Sequence, residues 1–412
     1  MLCPGSRSAP LALAAGGLAA RGLLTLTTAI DERSAAFHAL GMAATSGRAV
    51  AVITTSGTAV ANLLPAAVEA DRSALPLLLL TADRPQRLKN CGANQTVNQE
   101  DFLESVCRAF MTGPIDGLHR LSQTQLQSLA NKVWEQTLQH PGPVHLNLPF
   151  EEPLHPSRDD QQQAWSSWDF AVHRQRPFVR PPASAAAGPT DGFDWTRPGV
   201  VVAGPWRGLE SDKPAYQQAL RALAECSGWP MLADQLAAIP ADLPNLIRHW
   251  ELLLPHSLPA AAPGLQVLRL GPLPASRRLE SWLRSLGSGQ LLISEGEPRC
   301  LDPLRLSRQS SSGLAAWWNA ISADACFSPS GSRPLLTAWT EADAQVQRVL
   351  DQHLPAAGGV SEPALMKALP QLLPQGIPLM LAASSPVRDW QTFAAADLGS
   401  CLLYTSDAAD EP

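Results

Sequence analysis

Short apolar runs alternate with longer amphipathic stretches through the first third of the chain. The apolar runs are rich in leucine and β-branched residues, as is typical of strands buried in a parallel sheet, and they cover residues 49–55, 77–81 and 144–148. Helical patterns lie between them, at residues 34–46, 59–70 and 121–139. This alternation predicts an α/β fold with a doubly wound parallel sheet.

The rest of the chain repeats this pattern after a change of composition. Residues 151–197 are rich in proline, serine, glutamine and alanine, which predicts a linker between domains. Further strands are predicted at 199–204, 230–233, 267–270 and 291–294, followed by a helix at 362–369 and a strand at 377–382. We therefore predict a first α/β domain at 1–154, a linker at 155–197, a second α/β domain at 198–345, the start of a third domain at 346–400 and a tail at 401–412.

Composition narrows the class of protein. Hydrophobic residues make up 45% of the chain and charged residues 17%, which indicates a globular protein, and the net charge of −6 without any basic block disfavours nucleic-acid binding. The seven cysteines are scattered and form no C-x-x-C pair, which argues against a disulfide framework or a zinc site. No apolar run is long enough to span a membrane. We expect a soluble, cytoplasmic protein.

Polar and charged groups collect where predicted strands end and predicted helices begin. Glu32 follows the helix-capping residue Asp31, and the segment 54–58 (Thr-Thr-Ser-Gly-Thr) joins a strand to a helix. Arg7 and Arg84 come just after strand ends, where arginine suits the recognition of carboxylates. Taken alone, each of these features is better explained as an ordinary cap, turn or surface arginine.

Several common catalytic motifs are missing. The chain has no H-E-x-x-H, no G-x-S-x-G, no complete G-x-G-x-x-G and no Walker A lysine. These absences leave metalloprotease, α/β-hydrolase, standard dinucleotide-binding and P-loop interpretations without support.

Taken together, the polar segments resemble one family of enzymes. The segments occur in the same order and at the same spacing as in that family. They are Pro4-Gly5-Ser6-Arg7-Ser8, Asp31-Glu32-Arg33, the stretch from Thr55 to Asn62, Leu80-Thr81-Ala82-Asp83-Arg84-Pro85, Cys91-Gly92-Ala93-Asn94-Gln95, the stretch from Gly142 to Phe150 and Ser384-Ser385-Pro386-Val387-Arg388-Asp389. The family is that of the thiamine-diphosphate-dependent 2-succinyl-5-enolpyruvyl-6-hydroxy-3-cyclohexene-1-carboxylate (SEPHCHC) synthases. The resemblance extends to about residue 399.

The resemblance implies a fold, a reaction and an assembly. The fold would comprise a pyrimidine-binding domain, a middle domain and a pyrophosphate-binding domain. The enzyme, a transferase of menaquinone or phylloquinone biosynthesis, would decarboxylate 2-oxoglutarate on thiamine diphosphate and add the succinyl carbanion equivalent to isochorismate. Mg²⁺ or Mn²⁺ would hold the diphosphate, and a homodimer or homotetramer would be the working form, because the cofactor lies between subunits in this superfamily.

The resemblance also assigns roles to individual residues. Glu32 would be catalytic, contacting N1′ of the aminopyrimidine from an apolar site that raises its pKa, formed by Phe37, Leu40 and Met42. The other cofactor-binding residues would be Thr55, Ser56, Gly57 and Asn62. The substrate-binding residues would be Ser6, Arg7, Arg84, Gln95, Arg277, Arg278, Ser384 and Arg388.

Departures from the family pattern leave alternatives open. The family's Gly-Asp-Gly and downstream Asn, which hold the metal, are absent, and residues 401–412 resemble translated library-adapter sequence. We therefore expect a fragment that lacks its metal site and its first strand and is inactive alone. The alternatives are another thiamine-diphosphate decarboxylase or synthase, such as an acetolactate-synthase relative, and a non-catalytic binding fragment.

Overall fold

The chain forms two compact units, residues 1–181 and 182–412, which are described separately. The computed structural model describes all residues except 116, 140, 168–192, 241, 255–263, 288, 298, 323–328, 355–360, 375–376, 382–383, 395–400 and 405–412. Each unit is built around a parallel sheet with helices packed against it, so the predicted α/β class is confirmed.

The first unit has a four-stranded parallel sheet. Its strands are β1 (Val50–Thr54), β2 (Leu77–Asp83), β3 (Ala109–Thr112) and β4 (Pro143–Pro149), in the spatial order β1-β2-β4-β3. Met1–Cys3 runs beside β1, because the amide of Cys3 donates to Ile53 and the amide of Ile53 donates to Met1. The predicted strands at 49–55, 77–81 and 144–148 therefore correspond to β1, β2 and β4.

The helices of the first unit begin and end at recognisable signals. They are α1 (Ala9–Ala20), α2 (Glu32–Ser46), α3 (Thr58–Ala61), α4 (Leu64–Ser73), α5 (Gln123–Gln139) and α6 (Arg158–Ser166). Asp31 caps α2 by accepting a hydrogen bond from the amide of Ser34, and Gly47 ends the helix with a φ of 62°. The single helix predicted at 59–70 is wrong, because the chain breaks at Asn62 and Leu63 and restarts with Pro65 in the first turn of α4.

The second unit contains a six-stranded parallel sheet. Its strands are β5 (Gly199–Ala203), β6 (Met231–Ala233), β7 (Leu246–Ile247), β8 (Gln266–Leu270), β9 (Gln290–Ile293) and β10 (Ser307–Ser310), in the order β10-β9-β8-β5-β6-β7. Both faces are covered: Val201 and Ala203 belong to one apolar cluster, while Val200 and Val202 belong to another. Because both of its faces are buried, the sequence of β5 is a continuous apolar run.

The helices and last strands of the second unit complete its layers. They are α7 (Lys213–Ser227), α8 (Trp250–Leu253), α9 (Arg277–Leu286), α10 (Leu314–Ile321), α11 (Pro329–His353), α12 (Glu362–Leu372), β11 (Pro378–Leu381), α13 (Ser385–Phe393) and β12 (Cys401–Tyr404). The strand β12 pairs in parallel with β11. Among the helices that the structure describes, none combines the length and the apolar character that crossing a membrane requires.

Part of the predicted linker is helical. The helix α6 lies within residues 155–197, and its Trp165 fits against Gly17 of α1, where a Cβ atom would come within 2.7 Å of the indole ring. The Arg21 guanidinium stacks on the same ring at 5.9 Å and donates to the Trp165 carbonyl. Residues 168–192 of the predicted linker lie outside the described part of the chain.

Candidate active site

Three strand ends meet at one edge of the first sheet. The parallel register places Thr54 beside Thr81, and Thr81 beside Asn147. The segments that follow β1 and β2 therefore leave the sheet side by side. These segments carry the Thr55–Gly57 turn and Arg84, so the structure brings together two of the groups that the sequence predicted for the site.

Glu32 stands in the first turn of α2 at the same edge. Its Oε2 accepts a hydrogen bond of 3.2 Å from the side-chain amide of Asn62, the residue that ends α3. The pKa of the Cys3 thiol is raised to about 11, first by burial and then by the negative charge of Glu32, so the carboxylate lies near this thiol. Of the three apolar residues predicted beside Glu32, Leu40 is buried whereas Phe37 is 37% exposed.

Close packing requires glycine at two positions around the turn after β1, one in the turn and one in the segment after Cys3. Gly57 has a φ of 85°, and a Cβ atom there would lie 2.8 Å from Cγ of Gln95. A Cβ atom on Gly5 would lie 2.5 Å from the Cβ of Thr55. The turn is therefore held between the segment after Cys3 and the loop that carries Gln95.

Ser56 and Arg84 are joined within this turn. The Ser56 side chain is fully buried, and its hydroxyl accepts a hydrogen bond from Nη1 of Arg84. The same Nη1 donates to the carbonyl of Gln95 at 2.6 Å, while the Gln95 side chain donates to the carbonyl of Ser56 at 2.9 Å. The hydroxyl of Ser56, predicted to bind cofactor, thus anchors Arg84 here.

Arg7 brings a second positive charge to this region. Its side chain is buried, donates to the Phe150 carbonyl at 2.9 Å and pairs with Glu152 at 3.2 Å. The pKa of Arg84 is lowered, first by burial and then by the charge of Arg7. The amide of Phe150 donates to the carbonyl of Asp83, the residue before Arg84, so Arg7 and Arg84 lie near each other, and the exposed Ser6 precedes Arg7 in the chain.

The remaining predicted substrate residues belong to the second unit. Arg277 and Arg278 occupy the first turn of α9, and Arg278 donates to the carbonyl of Glu251 at 3.2 Å. Positive side chains at a helix N-terminus add to the positive end of the helix dipole, so the combined potential at this position favours an anion. Ser384, with a strained φ of 89°, precedes α13, and Arg388 is exposed in that helix.

A buried polar cluster that the sequence pattern did not predict lies beneath the turn. Gln99 is fully buried and bonds to Gly57, Ala82 and Asn147, while Asn147 in turn bonds to Asp83. The available signal was the presence of Thr81, His145 and Asn147 inside otherwise apolar strand patterns. Nothing in the sequence marks Gln99, because its loop only reaches the sheet in the folded chain.

The donor set of this edge fits the aminopyrimidine ring of thiamine diphosphate. Glu32 presents a half-buried carboxylate, and Asn62 holds only one of its oxygens. The Thr54 hydroxyl, immediately before the turn, is buried and has no hydrogen-bond partner among the described residues. No cluster of three or more His, Cys, Asp or Glu side chains suited to a metal occurs in the part of the chain that the structure describes.

Comparisons with known proteins show the family to which the chain belongs. The family described as "Thiamine pyrophosphate enzyme, N-terminal TPP binding domain" matches residues 1–103, which include Glu32 and the turn. The 2-succinyl-5-enolpyruvyl-6-hydroxy-3-cyclohexene-1-carboxylate synthase of Synechococcus sp. (strain WH7803) is 66% identical over 407 residues, covering 98% of this chain and 70% of the relative. The proteins of the same name from Prochlorococcus marinus (strain MIT 9313) and Synechococcus sp. (strain CC9311) are each 56% identical, covering 98% of this chain and 72% of either relative. The chain therefore belongs to the 2-succinyl-5-enolpyruvyl-6-hydroxy-3-cyclohexene-1-carboxylate synthase family of thiamine-diphosphate-dependent transferases.

Proposed function

We propose that this chain decarboxylates 2-oxoglutarate and adds the resulting four-carbon unit to isochorismate, as a step of menaquinone or phylloquinone biosynthesis in the cytoplasm. The observation that carries the proposal is the pair of neighbouring arginines, Arg7 and Arg84, at the sheet edge where Glu32 also lies. Both substrates are dicarboxylates, so the site must neutralise several negative charges, and arginine forks are suited to this.

Glu32 is the residue to which we assign the proton-handling role. Thiamine diphosphate, when bound, supplies the electron sink that makes decarboxylation of a 2-oxo acid possible. Glu32 would hold or share a proton at the aminopyrimidine nitrogen, and Asn62 would fix the orientation of the carboxylate through the 3.2 Å hydrogen bond. Thr55 and Gly57 would shape the wall against which the ring rests.

Arg84 and Gln95 would bind the substrate carboxylates, together with Arg7 and Ser6. Arg84 is held at Nη1 by Ser56 and Gln95, which supports a fixed orientation of its guanidinium. A charged hydrogen bond of this kind contributes roughly 1.5–3 kcal/mol to binding. In the second unit, Arg277, Arg278, Ser384 and Arg388 are proposed to join the substrate site.

Other parts of the assembly are also proposals. A divalent cation, Mg²⁺ or Mn²⁺, would accompany the diphosphate, and two or more copies of the chain would assemble. The division of the chain at residues 181 and 182 falls within the predicted linker, and the match of residues 1–103 to an N-terminal thiamine-pyrophosphate-binding domain supports a pyrimidine-binding first domain. The assignment of 198–345 as a middle domain and of 346–400 as the start of a pyrophosphate-binding domain remains a prediction.

The test is turnover by a chain of the relatives' length. The chain covers about 70% of the Synechococcus (strain WH7803) relative, so it is assayed alone and joined to the parts of that relative which it does not span. We expect the joined protein to consume isochorismate and 2-oxoglutarate with thiamine diphosphate and Mg²⁺. Glu32→Gln should abolish turnover, whereas Glu69→Gln, a change in α4, should leave it intact.

Two results would contradict the proposal. Turnover of pyruvate in preference to 2-oxoglutarate would favour the acetolactate-synthase-like alternative. A folded joined protein that binds neither thiamine diphosphate nor isochorismate in calorimetry would favour a non-catalytic fragment.

A further inference from the structure

We propose that Gln99 is a positioning residue that sets the geometry of Arg84 and of the turn at Gly57 from beneath the site. This inference rests on the proposed function for its meaning in catalysis. Gln99 has no exposed surface, so it touches no substrate and can act only through the groups to which it bonds.

The orientation of the Gln99 amide is fixed by backbone groups on two sides. Its Oε1 accepts from the amide of Gly57 at 2.9 Å, and its Nε2 donates to the carbonyl of Ala82 at 3.0 Å. A backbone amide can only donate and a carbonyl can only accept, so a flipped amide would lose both bonds. The remaining Nε2 hydrogen goes to Oδ1 of Asn147 at 2.8 Å.

This orientation dictates the direction of the neighbouring bonds. Because Oδ1 of Asn147 accepts from Gln99, its Nδ2 is the donor to Asp83 at 2.8 Å, and the Thr81 hydroxyl donates to the same Oδ1 at 2.9 Å. The Thr81 oxygen is then the acceptor for Nε2 of His145 at 2.7 Å, which places the proton of that imidazole on Nε2. Each of these hydrogen bonds therefore has one assigned donor and one assigned acceptor.

Two arms run from this cluster to the site. One is direct, because the amide of Gly57 donates to Gln99 and the Gln95 side chain fills the space that a side chain on Gly57 would need. The second passes through Asn147 to Asp83, whose other oxygen accepts from the backbone amide of Arg84 at 2.7 Å. Loss of Gln99 would therefore loosen both the turn at Gly57 and the backbone at Arg84.

A merely structural role predicts a different result from a positioning role. Thr81→Val is the matched control, because Thr81 is equally buried and belongs to the same cluster, yet it bonds to neither Gly57 nor Asp83. Gln99→Met keeps the length of the side chain and removes its three bonds. Gln99→Glu keeps the shape but places an oxygen against Ala82 and Asn147.

The experiment compares these variants in two measurements. In the chain itself, we expect the Gly57 amide to exchange hydrogen about tenfold faster in Gln99→Met than in the unaltered protein or in Thr81→Val. In the joined protein, we expect KM for isochorismate to rise about tenfold in Gln99→Met and Gln99→Glu, with little change in Thr81→Val at temperatures where all are folded.

The outcomes separate the two proposals. Equal effects of Gln99→Met and Thr81→Val on both measurements would overturn the positioning role and leave Gln99 as a stabilising residue only. If the unaltered joined protein shows no turnover, the proposed function fails, and the exchange rate of Gly57 still decides whether Gln99 holds the turn. Should Gln99→Met unfold, Gln99→Leu, which likewise forms none of the three bonds, supplies both measurements.

Discussion

At the scale of single residues, the site combines groups that the sequence could mark with groups that it could not. Glu32 follows a capping aspartate, and Gly57 follows a strand pattern, so both could be located by local rules. Gln99 could not be located in this way, because its burial and its three bonds come from contacts with distant strands. The roles of the predicted residues remain predictions, although the structure brings Arg7, Arg84 and Gln95 close to the turn.

Arg84→Ala tests the carboxylate-binding role. We expect KM for isochorismate in the joined protein to rise roughly 10- to 150-fold, which corresponds to the loss of about 1.5–3 kcal/mol from a charged hydrogen bond. Arg87→Ala is the control, because Arg87 lies in the same loop but is 63% exposed and pairs with Glu151. Steady-state kinetics decide, and an equal KM for the two variants would refute the role of Arg84.

His145 predicts a dependence of stability on pH. Burial lowers its pKa to about 4 from an ordinary 6.5, with only partial compensation from the charge of Glu100. As the pH falls, the unfolded chain takes up the proton first, so stability is lost between pH 6.5 and 4, by up to about 3 kcal/mol. Urea unfolding across this range should show a shallower loss in His145→Gln, and identical slopes would contradict the assignment.

At the scale of elements, the strands that the sequence failed to predict lie at sheet edges. Each of β3, β7 and β10 is an edge strand, and β3 and β10 carry no fully buried residue. A strand covered on fewer sides needs fewer apolar residues, so its pattern is weak. The predicted strands β2, β4, β5 and β8 are central and apolar. Helix α1 was not predicted, because the consecutive glycines Gly16 and Gly17 interrupt its alanine-rich sequence.

A buried ion pair joins β8 to the loop before β10, and its loss should destabilise the fold. Arg269 and Asp302 form an ion pair of 2.6 Å with side chains only 1% and 2% exposed. Asp302→Ala would leave a buried charge without its partner and should lower the free energy of unfolding by about 3–5 kcal/mol. Asp242→Ala breaks the exposed pair with Arg221 and should cost less than about 1 kcal/mol.

Tryptophan fluorescence during chemical unfolding provides the measurement, since most tryptophans lie in the second unit. A loss below about 1 kcal/mol for Asp302→Ala would show that water or a neighbouring group replaces the carboxylate.

At the scale of the whole molecule, each unit has its own buried clusters. In the first unit, residues from α2, β1, α4 and β2 form one cluster, while β4 and α5 contribute to another. We therefore expect residues 1–181, produced alone, to unfold cooperatively and to keep the acid sensitivity that depends on His145. Circular dichroism with urea titration at pH 4–7 tests this, and residues 182–412, which do not contain His145, serve as the control. A non-cooperative transition would contradict the prediction.

The strand order of the first sheet has a consequence for synthesis on the ribosome. β4 lies between β2 and β3 and pairs with both, yet it is the last of the three to be made. At a synthesis rate of roughly 5–20 residues per second, several seconds pass between the synthesis of the leucine-rich β2 and that of residue 149, the end of β4. During that interval its open edge is available to other nascent chains, so protection by a chaperone would matter most before β4 has emerged.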